Sequence, residues 1–120
     1  MKVVKIIMYA FISLSLNSCF AQDCESLPNN FKTYKAALNA IETANYNYHE
    51  SIDTKKSSWI IGLTYYSCDN KKGFLVMETK KEKYIHQDIP VSIWRELKQA
   101  PSFGSYYNHN IKGKYKVRLY

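Results

Sequence analysis

The residues best placed to do chemistry lie in the last third of the chain. Lys112, Lys114, Lys116 and Arg118 occupy alternate positions, with Ile111, Gly113, Tyr115, Val117 and Leu119 between them. Such strict period-two alternation predicts a β-strand with one apolar and one wholly cationic face. Neighbouring charges on that face would stand about 6.6 Å apart, comparable with phosphates along an extended nucleic-acid backbone. Lysines on a terminal edge strand also block sheet-to-sheet aggregation, so the pattern has a structural use too. Just upstream, Ser102-Phe-Gly104-Ser-Tyr-Tyr107-Asn108 is a second candidate. Gly104 would let backbone N–H groups turn outward, and Ser102, Tyr107 and Asn108 would add polar contacts. The same residue types also serve helix ends and turns.

Reactive chemistry has no such foothold. His49, His86 and His109 are far apart, without the short spacing of metal ligands. No serine sits in a strand-turn-helix nucleophile context, and there is no Gly-rich phosphate loop. The sequence therefore points to a non-enzymatic protein with no cofactor and no metal. Its function is expected in binding.

The N-terminus bears on where that binding would occur. Lys2 and Lys5 precede an apolar run of 11 residues, Ile6 to Leu16, followed by small residues up to Ala21. That is the layout of a secretory signal peptide, and the run is too short for a membrane anchor, which needs about 20 apolar residues. Cleavage after Ala21 would give a periplasmic or extracellular protein. Leu16-Asn-Ser-Cys19 also has the form of a lipobox, which would anchor the chain by a lipid on Cys19. Removing Lys2 and Lys5 leaves 15 of the 17 Lys+Arg against 10 Asp+Glu, a net charge of +5. That balance allows a polyanionic partner without requiring one. After cleavage at Ala21 two cysteines remain, Cys24 and Cys68. In an oxidising compartment they read as one disulfide, the alternative being two separate thiols.

The elements that must position these residues follow from periodicity. Phe31, Tyr34, Leu38 and Ile41 predict an amphipathic helix of about four turns, N-capped by Asn29 or Asn30. Tyr46 to Ile52 alternates weakly as a strand. Trp59 to Tyr66 is a stronger one, with Trp59, Ile61, Leu63 and Tyr65 on one face. Cys68 to Gly73 supplies a turn, Phe74 to Glu78 a strand, Thr79 to Lys83 a charged turn, and Tyr84 to Gln87 a fourth strand. Their order predicts an antiparallel meander joined by hairpins. Pro90 suits the first position of a helix running to Ala100, with Ile93, Trp94 and Leu97 on its apolar face. Ser102 to Asn108 is a compact turn or short helix.

From Ser58 to Tyr115 the sequence resembles the KTSC domain, a small family named for its place at the C-terminus of some lysyl-tRNA synthetases and also found in stand-alone bacterial proteins. The matching residues are Ile60, Leu63 and Tyr65, then Phe74 and Val76, then Tyr84 with His86 at the central Tyr-x-Tyr position. Ile89-Pro90, Ile93, Trp94, Leu97 and Ala100 match along the helix. Ser102, Gly104, Tyr107, Asn108, Ile111, Lys112 and Tyr115 complete the block. His86 replaces the second tyrosine, Glu78 an apolar residue, and Lys81 a hairpin glycine. The resemblance implies no established activity; RNA binding is a suggestion attached to the family.

These readings predict a signal peptide over 1–21, an N-terminal helix and strand extension over 22–57, and a KTSC-like domain over 58–120. The fold expected is α+β: one small domain whose antiparallel sheet of four to five strands is packed by an N-terminal and a C-terminal helix. The candidate ligand-binding residues are Tyr84, His86, Ser102, Gly104, Tyr107, Asn108, Lys112, Lys114, Lys116 and Arg118. The expected partner is a polyanion (nucleic acid, anionic lipid or cell-envelope polymer), or else a protein of the envelope that uses no charge.

Overall fold

The computed structural model describes residues 22–120, so the expected signal peptide and the Cys19 anchor lie outside the described residues. A 3-10 turn at Cys24–Ser26 leads into α1 (Tyr34–Thr43), followed by the strands β1 (Tyr48–Ile52), β2 (Ile60–Ser67), β3 (Lys72–Thr79) and β4 (Lys83–Pro90). Two helices close the chain, α2 (Val91–Gln99) and α3 (Phe103–Asn110). The sheet is a four-stranded antiparallel meander in the order β1-β2-β3-β4, and the fold is α+β.

Side chains alternate across the sheet, so each central strand feeds two cores. On one face Leu63, Tyr65, Leu75 and Met77 pack with Trp94 and Leu97 of α2 and Phe103 and Tyr107 of α3. On the other, Tyr66, Val76 and Ile85 pack against Ala37 and Ile41 of α1 and against Phe31. The two helical layers thus cover opposite faces of one sheet. Tyr65 stacks on Trp94 with ring centroids 5.3 Å apart, and its hydroxyl donates to the Ile89 carbonyl at 2.8 Å. Glu50 on β1 accepts from Trp94 Nε1 and from Lys98 Nζ, both at 2.9 Å, which ties the edge strand to α2.

Several details depart from the periodicity reading. The cap of α1 is Thr33, whose hydroxyl accepts from the Ala36 N–H, so the helix starts later and is shorter than expected. Phe31 instead forms a bridge to Leu119. In β2, a bulge falls between Ile60 and Gly62. It inverts the phase, so that Ile60 joins Leu63 and Tyr65 in the core while Ile61 and Trp59 are exposed. A second irregularity lies between Gly73 and Leu75 on β3. Opposite it, Asp88 adopts a left-handed conformation with φ 60°. β4 consequently runs on to Pro90, which caps α2 rather than opening it.

The largest correction concerns the tail. Ile111 is fully buried and continues the Phe103, Tyr107 spacing of α3, so helical packing claims the residue that begins the alternation. Gly113, with φ 80°, lies in the turn that follows α3, and among the described residues the chain after it joins no strand of the sheet. Near its end Leu119 forms an isolated bridge with Phe31, the Phe31 N–H donating to the Arg118 carbonyl and the Tyr120 N–H to the Phe31 carbonyl. The outer edge of β4 is capped by side chains: Tyr34 Oη accepts from the Ile85 N–H and donates to the Lys83 carbonyl, and Gln87 Oε1 accepts from the Arg118 N–H. Among the described residues there is no fifth strand, and the tail forms no single cationic face.

Cys24 and Cys68 form the expected disulfide, with Cα atoms 5.9 Å apart. Among the described residues no helix is long and apolar enough to cross a membrane.

A candidate anion-binding cleft

The hairpin between β3 and β4 is held by Thr79. Its N–H donates to the Glu82 carbonyl, and its hydroxyl accepts from the N–H groups of Lys81 and Glu82. This turn carries Lys80 and Lys81 at its tip, on the side of the sheet covered by α3. Where α3 ends, Lys112 stands across from them. Between these walls lies a cleft of about 390 Å³. Met77, Tyr84 and Tyr107 line it from the sheet and α3, Trp59 flanks it, and Ser58 and Asn108 reach its edge.

Four of the expected ligand-binding residues therefore come together: Tyr84, Tyr107, Asn108 and Lys112. The others are elsewhere. Ser102 is the N-cap of α3, its hydroxyl accepting from the Ser105 N–H at 3.1 Å. Gly104 is buried in the first turn of α3, where an added Cβ would lie 2.5 Å from Trp59 Nε1; it makes room for the indole and turns no N–H group outward. Lys114 Nζ donates to the His109 carbonyl, and Lys116 is exposed on the C-terminal tail. Arg118 pairs with Asp88 at 2.8 Å and donates from Nε to the Asn29 carbonyl.

His86 sits behind the cleft. Its Nδ1 lies 3.1 Å from the Tyr115 carbonyl and its Nε2 2.9 Å from the Tyr107 hydroxyl. A carbonyl only accepts, so Nδ1 carries the proton and Nε2 accepts from Tyr107. Burial holds the His86 pKa below its usual value, against the opposing pull of the Tyr115 carbonyl. Burial also pushes the Tyr107 phenol up to about 12. The pair is a neutral strut that fixes the Tyr107 ring as a wall of the cleft. At the mouth, the Tyr84 phenol is raised first by its hydrogen bond with Glu82.

The rim carries three lysines and, beside Tyr84, the carboxylate of Glu82. Lys72, Lys83, Lys98 and Arg118 are engaged in ion pairs, whereas Lys80, Lys81 and Lys112 form none among the described residues. Among the described residues no carboxylate belongs to the lining itself, while Glu82 interacts with Tyr84 at the mouth. Three ammonium groups without ion pairs, outnumbering the one carboxylate at the mouth, around an apolar, aromatic floor can hold an anion that also carries a ring or an apolar body. Among the described residues no group of His, Cys, Asp and Glu is placed to hold a metal ion.

Trp59, Met77, Lys80 and Lys81 escaped the sequence reading. The bulge at Ile61 hid the exposure of Trp59, and Lys80-Lys81 read only as a charged turn. One signal was present: Lys81 stands where the resembled family has a hairpin glycine.

An α+β meander closed by two C-terminal helices defines the class of domain. Residues 74–115 match the family model of the KTSC domain. The match spans β3 to the turn after α3, so it includes Tyr84, Tyr107, Asn108 and Lys112 and leaves Trp59, α1 and the first two strands outside. Searches of curated proteins and of solved structures return no match.

Proposed function

We propose that this protein is an exported, non-enzymatic binding module for a polyanionic ligand, engaged at the cleft between the β3–β4 hairpin and the end of α3. The observation that carries the reading is the convergence of Lys80, Lys81 and Lys112, none of them ion-paired among the described residues, on an aromatic cleft without a carboxylate in its lining. Of the cationic tail positions, Lys112 contributes directly. Lys114 and Lys116 add to the field around it, and Arg118 fastens the tail to Asp88. Export is supported by the signal-peptide pattern of residues 1–21 and by the Cys24–Cys68 disulfide, which persists in oxidising compartments. Within an envelope, nucleic acid, anionic lipid and acidic polymer all satisfy the same lysines.

A second reading, docking of an envelope protein, has one observation in its favour. Among the described residues the outer edge of β1 pairs with no other strand, and Tyr48 to Ser51 are exposed along it, an arrangement that accepts an added strand. Salt separates the two readings. Binding of a flexible polyanion through three lysines should weaken with a slope of about −2 in log affinity against log salt. Strand addition through backbone hydrogen bonds should be nearly flat. A flat titration with polyanions would refute the first reading.

A further inference from the structure

The cleft is shaped for more than charge. Trp59 is 39% exposed, yet it is not loose. It meets the Tyr107 ring edge-on with centroids 6.1 Å apart, and it rests on Gly104, where even a methyl group would collide with it. An indole held in place this way is a platform whose ordering cost is met before any ligand arrives. Beside it, the exposed side chains of Ser58 and Asn108 make no hydrogen bond within the described residues. A hydroxyl and a carboxamide each donate and accept. Phosphate and carboxylate groups have no use for acceptors, whereas sugar hydroxyls use both. An aromatic platform, two free donor–acceptor groups and three lysines together match a polyhydroxylated ring that bears negative charge.

Building on the polyanion reading above, we infer that the cleft takes an acidic glycan, a chain of sugar rings carrying carboxylate or phosphate groups. The C–H face of one ring lies on Trp59, its hydroxyls meet Ser58 and Asn108, and its anionic group sits among Lys80, Lys81 and Lys112. The exported compartment implied by residues 1–21 and by the disulfide is where such polymers occur.

The test is calorimetric titration of the chain from Gln22 onward with its disulfide intact. Two sugar probes, tetragalacturonate and a phosphorylated tetrasaccharide, are each compared with a ring-free anion of equal charge, end-capped tetraglutamate and inorganic tetraphosphate. A thymidylate tetramer is the nucleic-acid arm. At least one sugar probe should bind tenfold or more tighter than its ring-free counterpart, and the one that does identifies the anionic group. Trp59→Leu should abolish that advantage while leaving the ring-free anions unchanged. Asn108→Ala, at an exposed position, should lower sugar affinity severalfold in the same selective way and serves if the tryptophan variant fails to fold. Equal binding of sugars and ring-free anions would overturn the glycan inference and leave the polyanion reading standing. Tighter binding of the thymidylate tetramer would overturn it in favour of nucleic acid. No binding of any anion would remove both.

Discussion

Replacing His86 with leucine tests the strut that fixes the wall of the cleft. His86 Nε2 accepts from the Tyr107 hydroxyl and Nδ1–H donates to the Tyr115 carbonyl. His86→Leu leaves a buried phenol and a partly buried carbonyl without partners, at about 1–3 kcal/mol each, partly offset by the apolar side chain. The expected loss at pH 7.5 is about 2–4 kcal/mol, read from urea unfolding followed by fluorescence. The pH dependence sharpens the test. The folded-state pKa of His86 lies below the ordinary 6.5 of an unfolded chain. The unfolded state therefore binds the proton first as pH falls, and wild-type stability is lost from about pH 6.5 downward. The steepest slope one histidine allows is about 1.4 kcal/mol per pH unit. Between pH 6.5 and 5 the wild type should lose at most about 2 kcal/mol from this source, and the leucine variant none. The gap between the two proteins should thus narrow on acidification. Glu50 and Asp69, whose pKa values are lowered by hydrogen bonds, lose their contributions only as pH falls below the usual carboxylate values, so the window above pH 5 isolates the imidazole. A gap that stays constant from pH 7.5 to 5, or a His86 ring resonance that titrates at or above 6.5, would refute the reasoning.

Two further outcomes concern the frame. The disulfide joins residues 44 apart in sequence, a closure worth about 4 kcal/mol in the chain-entropy model. The Cys24→Ser/Cys68→Ser variant should therefore melt about 15–30 °C lower by calorimetry, and a drop below about 5 °C would contradict that account. At Gly73 an added Cβ would lie 2.1 Å from the Tyr66 carbonyl oxygen, a backbone atom that cannot step aside, whereas at Gly113 it meets nothing within 4 Å. Gly73→Ala should accordingly cost about 3 kcal/mol in denaturant unfolding and Gly113→Ala only about 1 kcal/mol, from its left-handed conformation; the reverse order would count against the local geometry.

The helices and the meander were legible because each is written in a period that its own packing preserves. Trp94 and Leu97 face the core of α2 as their spacing predicts, and Leu75 and Met77 alternate with Val76 across β3. The resemblance carried by Tyr84, Tyr107, Asn108 and Ile111 likewise falls within the matched segment. What failed were places where a tertiary contact overrides a local pattern. A single bulged residue, Ile61, reverses the faces of everything before it in β2. Ile111 belongs to two patterns, and burial against the helical core decides for α3 over a strand. The tail cannot pair with β4 because Tyr34, from a helix 49 residues away, already occupies that edge. The cleft was half legible for the same reason: its residues come from the start of β2, a hairpin tip and a helix end, and only folding brings them together.

Under the proposed function, anion binding is localised to the cleft rather than spread over a basic surface. The most direct measurement compares two triple variants of equal charge for affinity to a labelled polyphosphate at low salt. One is Lys80→Gln/Lys81→Gln/Lys112→Gln at the rim, and the other is Lys32→Gln/Lys35→Gln/Lys71→Gln at exposed positions away from it. The rim variant should lose tenfold or more in affinity and the other less than twofold. Equal losses would contradict that localisation.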